Sequence, residues 1–163
     1  MSHRELKGRK RKDYPYILEY RTRWHTLLLM RIKLKCLVTD DHMNNSVYNF
    51  LYDSVVNTYL IQECARHPPT SPQYGLVVHS HSDFFGSIAF PAVADLGLRV
   101  NKLGKSSVTY EVALFEQGVE DVKSVGELIH VFIDRESGRP AANGMSNSLK
   151  EGLQKLLVSK SKL

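Results

Sequence analysis

His42-Met43-Asn44-Asn45-Ser46-Val47-Tyr48, preceded by Asp40 and Asp41, opens the longest uninterrupted apolar pattern in the chain. From it Val47, Tyr48, Leu51, Tyr52, Val55, Val56, Tyr59 and Leu60 recur at helical spacing, and neither Gly nor Pro intervenes before Pro68. The pattern predicts a helix to about Gln62 with one strongly buried face. The polar Asx residues at its start suit an N-cap, because their side chains accept from helix N–H groups that have no partner within the helix. A helix N-terminus carries partial positive charge and free donors. With carboxylates, amides and an imidazole beside it, it could polarise a carbonyl and position a water. The plainer reading is a well-capped core helix, and spacing alone favours that one.

On either side of this helix the chain is unequal in charge. It has 163 residues and a net charge of +5, yet residues 1–35 carry +8 and the remainder −3. Lys7, Arg9, Lys10, Arg11 and Lys12 predict a disordered basic arm over residues 1–13. Such an arm could attract nucleic acid, an anionic membrane or phosphates. No aromatic interleaving or RNA-binding motif accompanies it, so a solvated tail and no nucleic-acid partner are expected. No apolar run is long enough to span a bilayer. Cys36 and Cys64 have neither metal-ligand spacing nor a disulfide framework, which suits a reducing compartment. The length predicts one domain, residues 14–158, followed by a short tail over 159–163.

Between Trp24 and the helix, Ile32, Leu34, Cys36 and Val38 alternate with Arg31, Lys33, Lys35 and Leu37, a strand pattern. Past the helix, Arg66 to Pro72 is turn-rich and Leu76 to His81 reads as a strand. His79 and His81 share one face of it, but no third ligand of matching spacing follows, so no metal is expected. Ala94, Leu96, Leu98 and Val100 alternate within a strand; Leu103-Gly104-Lys105 reverses the chain; Val108, Tyr110, Val112 and Leu114 return. Val125 to Ile133 is apolar on both faces, as a central strand is. Asn147 to Val158 reads as an amphipathic C-terminal helix. Asn49, Asp53 and Asn57 form a polar line on the long helix, read as the face turned from the sheet rather than as a place for catalysis by Asp53. No nucleophile elbow, phosphate loop or dinucleotide fingerprint is present.

His42-Met43-Asn44-Asn45-x-x-Tyr48 resembles the motif of hotdog-fold acyl-CoA thioesterases of the 4-hydroxybenzoyl-CoA thioesterase type. The resemblance continues through Asp53, Asn57 to Ile61, Gly75 to Val78, Ala89-Phe90-Pro91, Gly97 to Val100, Leu103 to Glu111 and Gly138-Arg139-Pro140. It implies an α+β fold, a single hotdog domain in which a curved antiparallel sheet wraps one long central helix. It implies a homodimer or homotetramer with active sites between subunits, no cofactor, and hydrolysis of an acyl-CoA substrate. An Asp, Asp40 or Asp41, would act as general base or nucleophile, and His42 and Asn45 would orient the loop or substrate. Asn44 and Tyr48 would line the substrate, while Lys105, Ser106, Ser107 and, more weakly, Arg139 would hold coenzyme A phosphates. The family's acid normally stands four positions before the motif His, where this chain has Val38. The stretch from Trp24 to His42 is also several residues longer than the pattern. It is a replacement first strand, an extra strand or an artefact of the gene model. A non-catalytic acyl-CoA-binding hotdog protein, or a hotdog enoyl-CoA hydratase or dehydratase, are the alternatives. The terminal Ser161-Lys162-Leu163 matches the peroxisomal import address. It predicts a peroxisomal location through the import receptor, with the cytoplasm or mitochondrion as alternatives.

Overall fold

The computed structural model describes residues 2–21, 43–68, 70–88, 92–141 and 143–158. In chain order these form α1 (His3–Lys7), a 3-10 turn (Arg11–Asp13), β1 (Tyr16–Arg21), α2 (Asn45–Glu63), β2 (Gln73–Phe84), β3 (Val93–Leu103), β4 (Ser107–Glu116), β5 (Val122–Asp134) and α3 (Asn147–Gln154). All five strands pair antiparallel in one sheet of order β1-β3-β4-β5-β2. The sheet curves around α2, which is the expected hotdog arrangement.

The eight apolar positions read from the helical spacing are the eight that α2 buries. They pack on Ala94, Leu96, Leu98 and Val100 of β3, Val108, Tyr110, Val112 and Leu114 of β4, and Leu128 and Phe132 of β5. Fully burying a side chain of this kind stabilises by roughly 1.5–3 kcal/mol relative to exposure. One close approach sets how deep the helix sits. The Tyr52 ring lies directly on Gly126 of β5, where any Cβ would collide with it, and its hydroxyl bonds Ser124. The expected meander is β3-β4-β5, and its first reversal is tight: Gly104 N–H donates to the Ser107 carbonyl at 2.8 Å.

Two expectations need correction. Residues 2–13 are not a disordered arm. Ser2 and Glu5 form a reciprocal capping box on α1, and Leu6 is buried with Tyr14, Ala113, Phe115, Val122 and Val125 on the sheet face opposite α2. The basic residues that looked solvated meet acceptors supplied by distant strands. Arg9 Nε lies 2.7 Å from Glu111 Oε1, Arg11 Nε lies 3.0 Å from Asp95 Oδ2, and Arg11 also donates to the Val119 and Glu116 carbonyls at 2.6 Å. Nor does the C-terminal helix reach Val158; it ends at Gln154. The next residues serve the sheet instead. At an irregularity in β3, Val100 N–H donates to the Leu156 carbonyl at 2.9 Å, and the Val100 carbonyl accepts from Val158 N–H at 3.1 Å.

Candidate active site

The N-terminus of α2 is positioned by its own cap and by one loop. Asn44 is extended (φ −66°, ψ 145°), and its side-chain oxygen accepts from Ser46 N–H and Ser46 Oγ, each at 2.9 Å. Val47 N–H donates to the Asn44 carbonyl at 2.9 Å. The Asn45 N–H has no acceptor among the described residues, and both Asn45 and Ser46 are exposed. A free N–H at the positive end of a helix of 19 residues is suited to an oxygen that gains negative charge.

Ile88, just past β2, fixes this end in place. Met43 N–H donates to the Ile88 carbonyl at 3.0 Å, and Ile88 N–H donates to the Tyr48 hydroxyl at 3.2 Å. Tyr48 also meets Phe84 edge-on at 5.3 Å. Tyr48 was expected at the substrate. Within one copy of the chain it is instead a core residue, 2% exposed, whose hydroxyl is spent on the backbone that positions Asn44 and Asn45. Ile88 and Phe84 escaped sequence reading because nothing near them in the chain indicates that the helix end comes back to them.

Asp40, Asp41 and His42 lie outside the described residues, as do the Trp24 to Asp41 insertion, Ala89 to Pro91 and the Ser161-Lys162-Leu163 tail. Asp53 is exposed, and its neighbours along the polar line are used locally. Asn49 accepts from Ser82 Oγ at 3.1 Å, and Asn57 donates to the Asp53 carbonyl at 3.0 Å.

The residues expected at coenzyme A form a second group. Lys105 and Ser106 make the β3–β4 reversal, and their carbonyls accept from Met145 N–H (3.0 Å) and Phe132 N–H (2.8 Å). Ser107 begins β4, and Arg139 is exposed beside the end of β5, its carbonyl accepting from Asp134 N–H. Register puts this group at the far end of the sheet. Ser107 pairs with Val131, whereas Ser124, beside the first half of α2, pairs with Leu114 near the end of β4. Helix α2 separates the two groups by its length, roughly 28 Å at 1.5 Å per residue. One copy of the chain does not bring Asn45 and Lys105 together.

Sequence reading also missed a buried polar cluster on the α2 side of the sheet. His130 contacts the Tyr110 ring at 5.2 Å. Among the described residues neither His130 nitrogen has a hydrogen-bond partner, nor has the Tyr110 hydroxyl or Arg66 Nε. Burial, and then the Arg66 charge, push the His130 imidazole down to about 4, so it is neutral at physiological pH. His130 sits within an apolar run, where a lone histidine gives no sequence signal.

Residues 40–123 match the family model described as thioesterase superfamily. No curated protein matches the chain. Among solved structures, the PA5185 protein from Pseudomonas aeruginosa strain PAO1 is 36% identical, with a TM-score of 0.81, over 93% of this chain and 98% of that one. A thioesterase from Thermus thermophilus, complexed with coenzyme A and Zn, is 20% identical, with a TM-score of 0.66, over 89% and 96% of the two chains. The hypothetical protein SAV2348 from Staphylococcus aureus, in complex with CoA, is 11% identical, with a TM-score of 0.68, over 91% and 90%.

Proposed function

We infer the function from one premise: this chain belongs to the thioesterase superfamily. We propose that it is an acyl-CoA thioester hydrolase, releasing a carboxylic acid and coenzyme A. The observation that carries this reading is the pinned N-terminus of α2, where the Asn45 N–H has no acceptor among the described residues, three positions after His42. In the proposed step Asp40 takes a proton from water as the water oxygen attacks the thioester carbonyl carbon. The carbonyl oxygen becomes an oxyanion held at the helix N-terminus. The tetrahedral adduct collapses by breaking the C–S bond, and the coenzyme A thiolate takes up the proton. Two structures of the same fold, complexed with coenzyme A, support this choice of carrier. The test is free-thiol release from short, long and aromatic acyl-CoAs. Turnover of at least one is expected; binding without turnover of any would overturn the reading in favour of a non-catalytic acyl-CoA-binding protein.

The separation of the two residue groups supports a homodimer. Among the described residues strand β2 is an edge strand of 12 residues, bonded on one side only, and it exposes Leu76, Val77 and Val78. An edge of this kind invites pairing unless it is covered. Its Phe84 end lies by the N-terminus of α2. Its Gln73 end lies by the β3–β4 reversal, since Gln73 Nε2 donates to the Gly144 carbonyl and Met145 N–H donates to the Lys105 carbonyl. Antiparallel pairing of β2 with a second copy sets one copy's helix N-terminus against the other copy's Lys105 turn. Acyl and coenzyme A groups would then meet between subunits. Light scattering should give at least twice the mass of the chain. Val78→Lys, at a side chain that is 59% exposed in a single copy, should shift the protein towards monomer and lower turnover. A folded, active monomer of the unmodified chain would contradict the arrangement.

A further inference from the structure

The sheet face opposite α2 carries a cluster that the hydrolysis does not use. Ser82 of β2 bonds Asn49 of α2, and Gly126 of β5 lies under Tyr52, so these two residues face the helix. Side chains alternate along a strand. His79, His81 and Asp83 of β2, and Glu127 of β5, therefore project from the opposite face. His81 stands directly across from Glu127 in the β2–β5 register, and His79 lies one alternation further along. The ligand atoms of His79, His81 and Glu127 all lie within 4.8 Å of one another. The two imidazole rings are tilted by 52°, with centroids 6.0 Å apart.

Two further features make this more than a polar patch. Glu127 has no Lys or Arg partner among the described residues, although its cross-strand neighbour Glu111 is fully engaged by arginines. An unneutralised carboxylate therefore sits beside two imidazoles. His81 Nε2 also lies 3.4 Å from Asp83 Oδ2, and the other Asp83 oxygen lies 3.0 Å from His3 Nδ1 of α1. A carboxylate on the second ring nitrogen is the usual device that fixes a metal-ligating imidazole.

We propose that His79, His81 and Glu127 bind a divalent transition-metal ion of the Zn2+ class. Two imidazole nitrogens and one carboxylate oxygen, with solvent completing a tetrahedron, form a ligand set of the borderline type such ions take. The side chains are exposed or half-buried, so only side-chain rotation is needed to close them to ligating distance. The ion would clamp the edge strand β2 to β5 and, through Asp83 and His3, tie α1 to the same edge. The proposal is independent of the hydrolytic reading, because it concerns the other face of the sheet.

The test uses the full chain without an affinity tag, stripped with chelator and titrated with Zn2+ alone against a chromophoric competitor. One ion per chain is expected, and Co2+ in its place should show the visible absorption of a tetrahedral site. His79→Ala, His81→Ala and Glu127→Gln should each weaken Zn2+ binding at least about tenfold, and Asp83→Asn by about tenfold. His67→Ala, at an exposed loop histidine, should leave binding unchanged. Zn2+ should raise the melting temperature of the unmodified chain more than that of Glu127→Gln at the same concentration. Affinity no greater than that of a His79→Ala, His81→Ala double variant, or binding undiminished in Glu127→Gln, would overturn the proposal.

Discussion

Glu111→Ala is expected to cost about 3–5 kcal/mol of folding stability, the usual cost of stranding a buried charge by removing its partner. Glu111 is 2% exposed on β4 and is the acceptor on which the folded N-terminal segment converges. It accepts from Arg9 Nε (2.7 Å) and Nη2 (3.2 Å), Arg99 Nη2 (2.9 Å), Asn101 Nδ2 (2.9 Å) and the Tyr14 hydroxyl (2.9 Å). Alanine would leave the Arg99 guanidinium buried without a counter-charge and undock Arg9. Burial by itself would raise the Glu111 carboxyl, but the hydrogen bonds from Arg9 and Asn101 and the charges of Arg99 and Arg9 outweigh it, holding the group below its ordinary value. The associated stability is thus fully present above the unfolded carboxylate value, about 4.3, and is lost as pH falls through the lower folded value. Urea denaturation at pH 7 checks the magnitude, and repeating it down the acid range checks the sign. A cost below about 1 kcal/mol would show that residues 2–13 do not dock as described.

Asp40→Asn is expected to lower thioester turnover at least about a hundredfold, the typical contribution of a positioned general base. The assignment rests on position. Asp41 adjoins His42, whereas Asp40 stands closer to the position where the family carries its acid and this chain has Val38. Asp53 is a poorer base for the same helix end. It lies nine residues beyond Asn44, roughly 13 Å along α2, and is exposed. Asp40→Asn should leave the melting temperature nearly unchanged while turnover falls, which separates chemistry from folding. A normal rate in Asp40→Asn, beside a dead Asp41→Asn or Asp53→Asn, would reassign the base.

The helix buried on eight residues from Val47 to Leu60, an Asx cap at its start and the β3-β4-β5 meander were all determined by the sequence on its own. Each is written in one continuous stretch of chain, through a period of 3.6 or 2 and the turn chemistry between. The ordered match from His42 to Pro140 likewise pointed to the family without coordinates. What only the tertiary structure decided are the pairings between residues distant in the chain. Arg9 reads as a solvated charge until Glu111, 102 positions away, is placed beside it. His79 and His81 read as a pair without a third ligand until register sets Glu127 opposite His81. Asn45 and Lys105 read as parts of one site between subunits, and the fold of a single copy sets them at opposite ends of α2. Sequence periodicity reports which face of an element is buried but carries no information about which element covers it. Strand order and register supply that, and here they determine where each charge is neutralised.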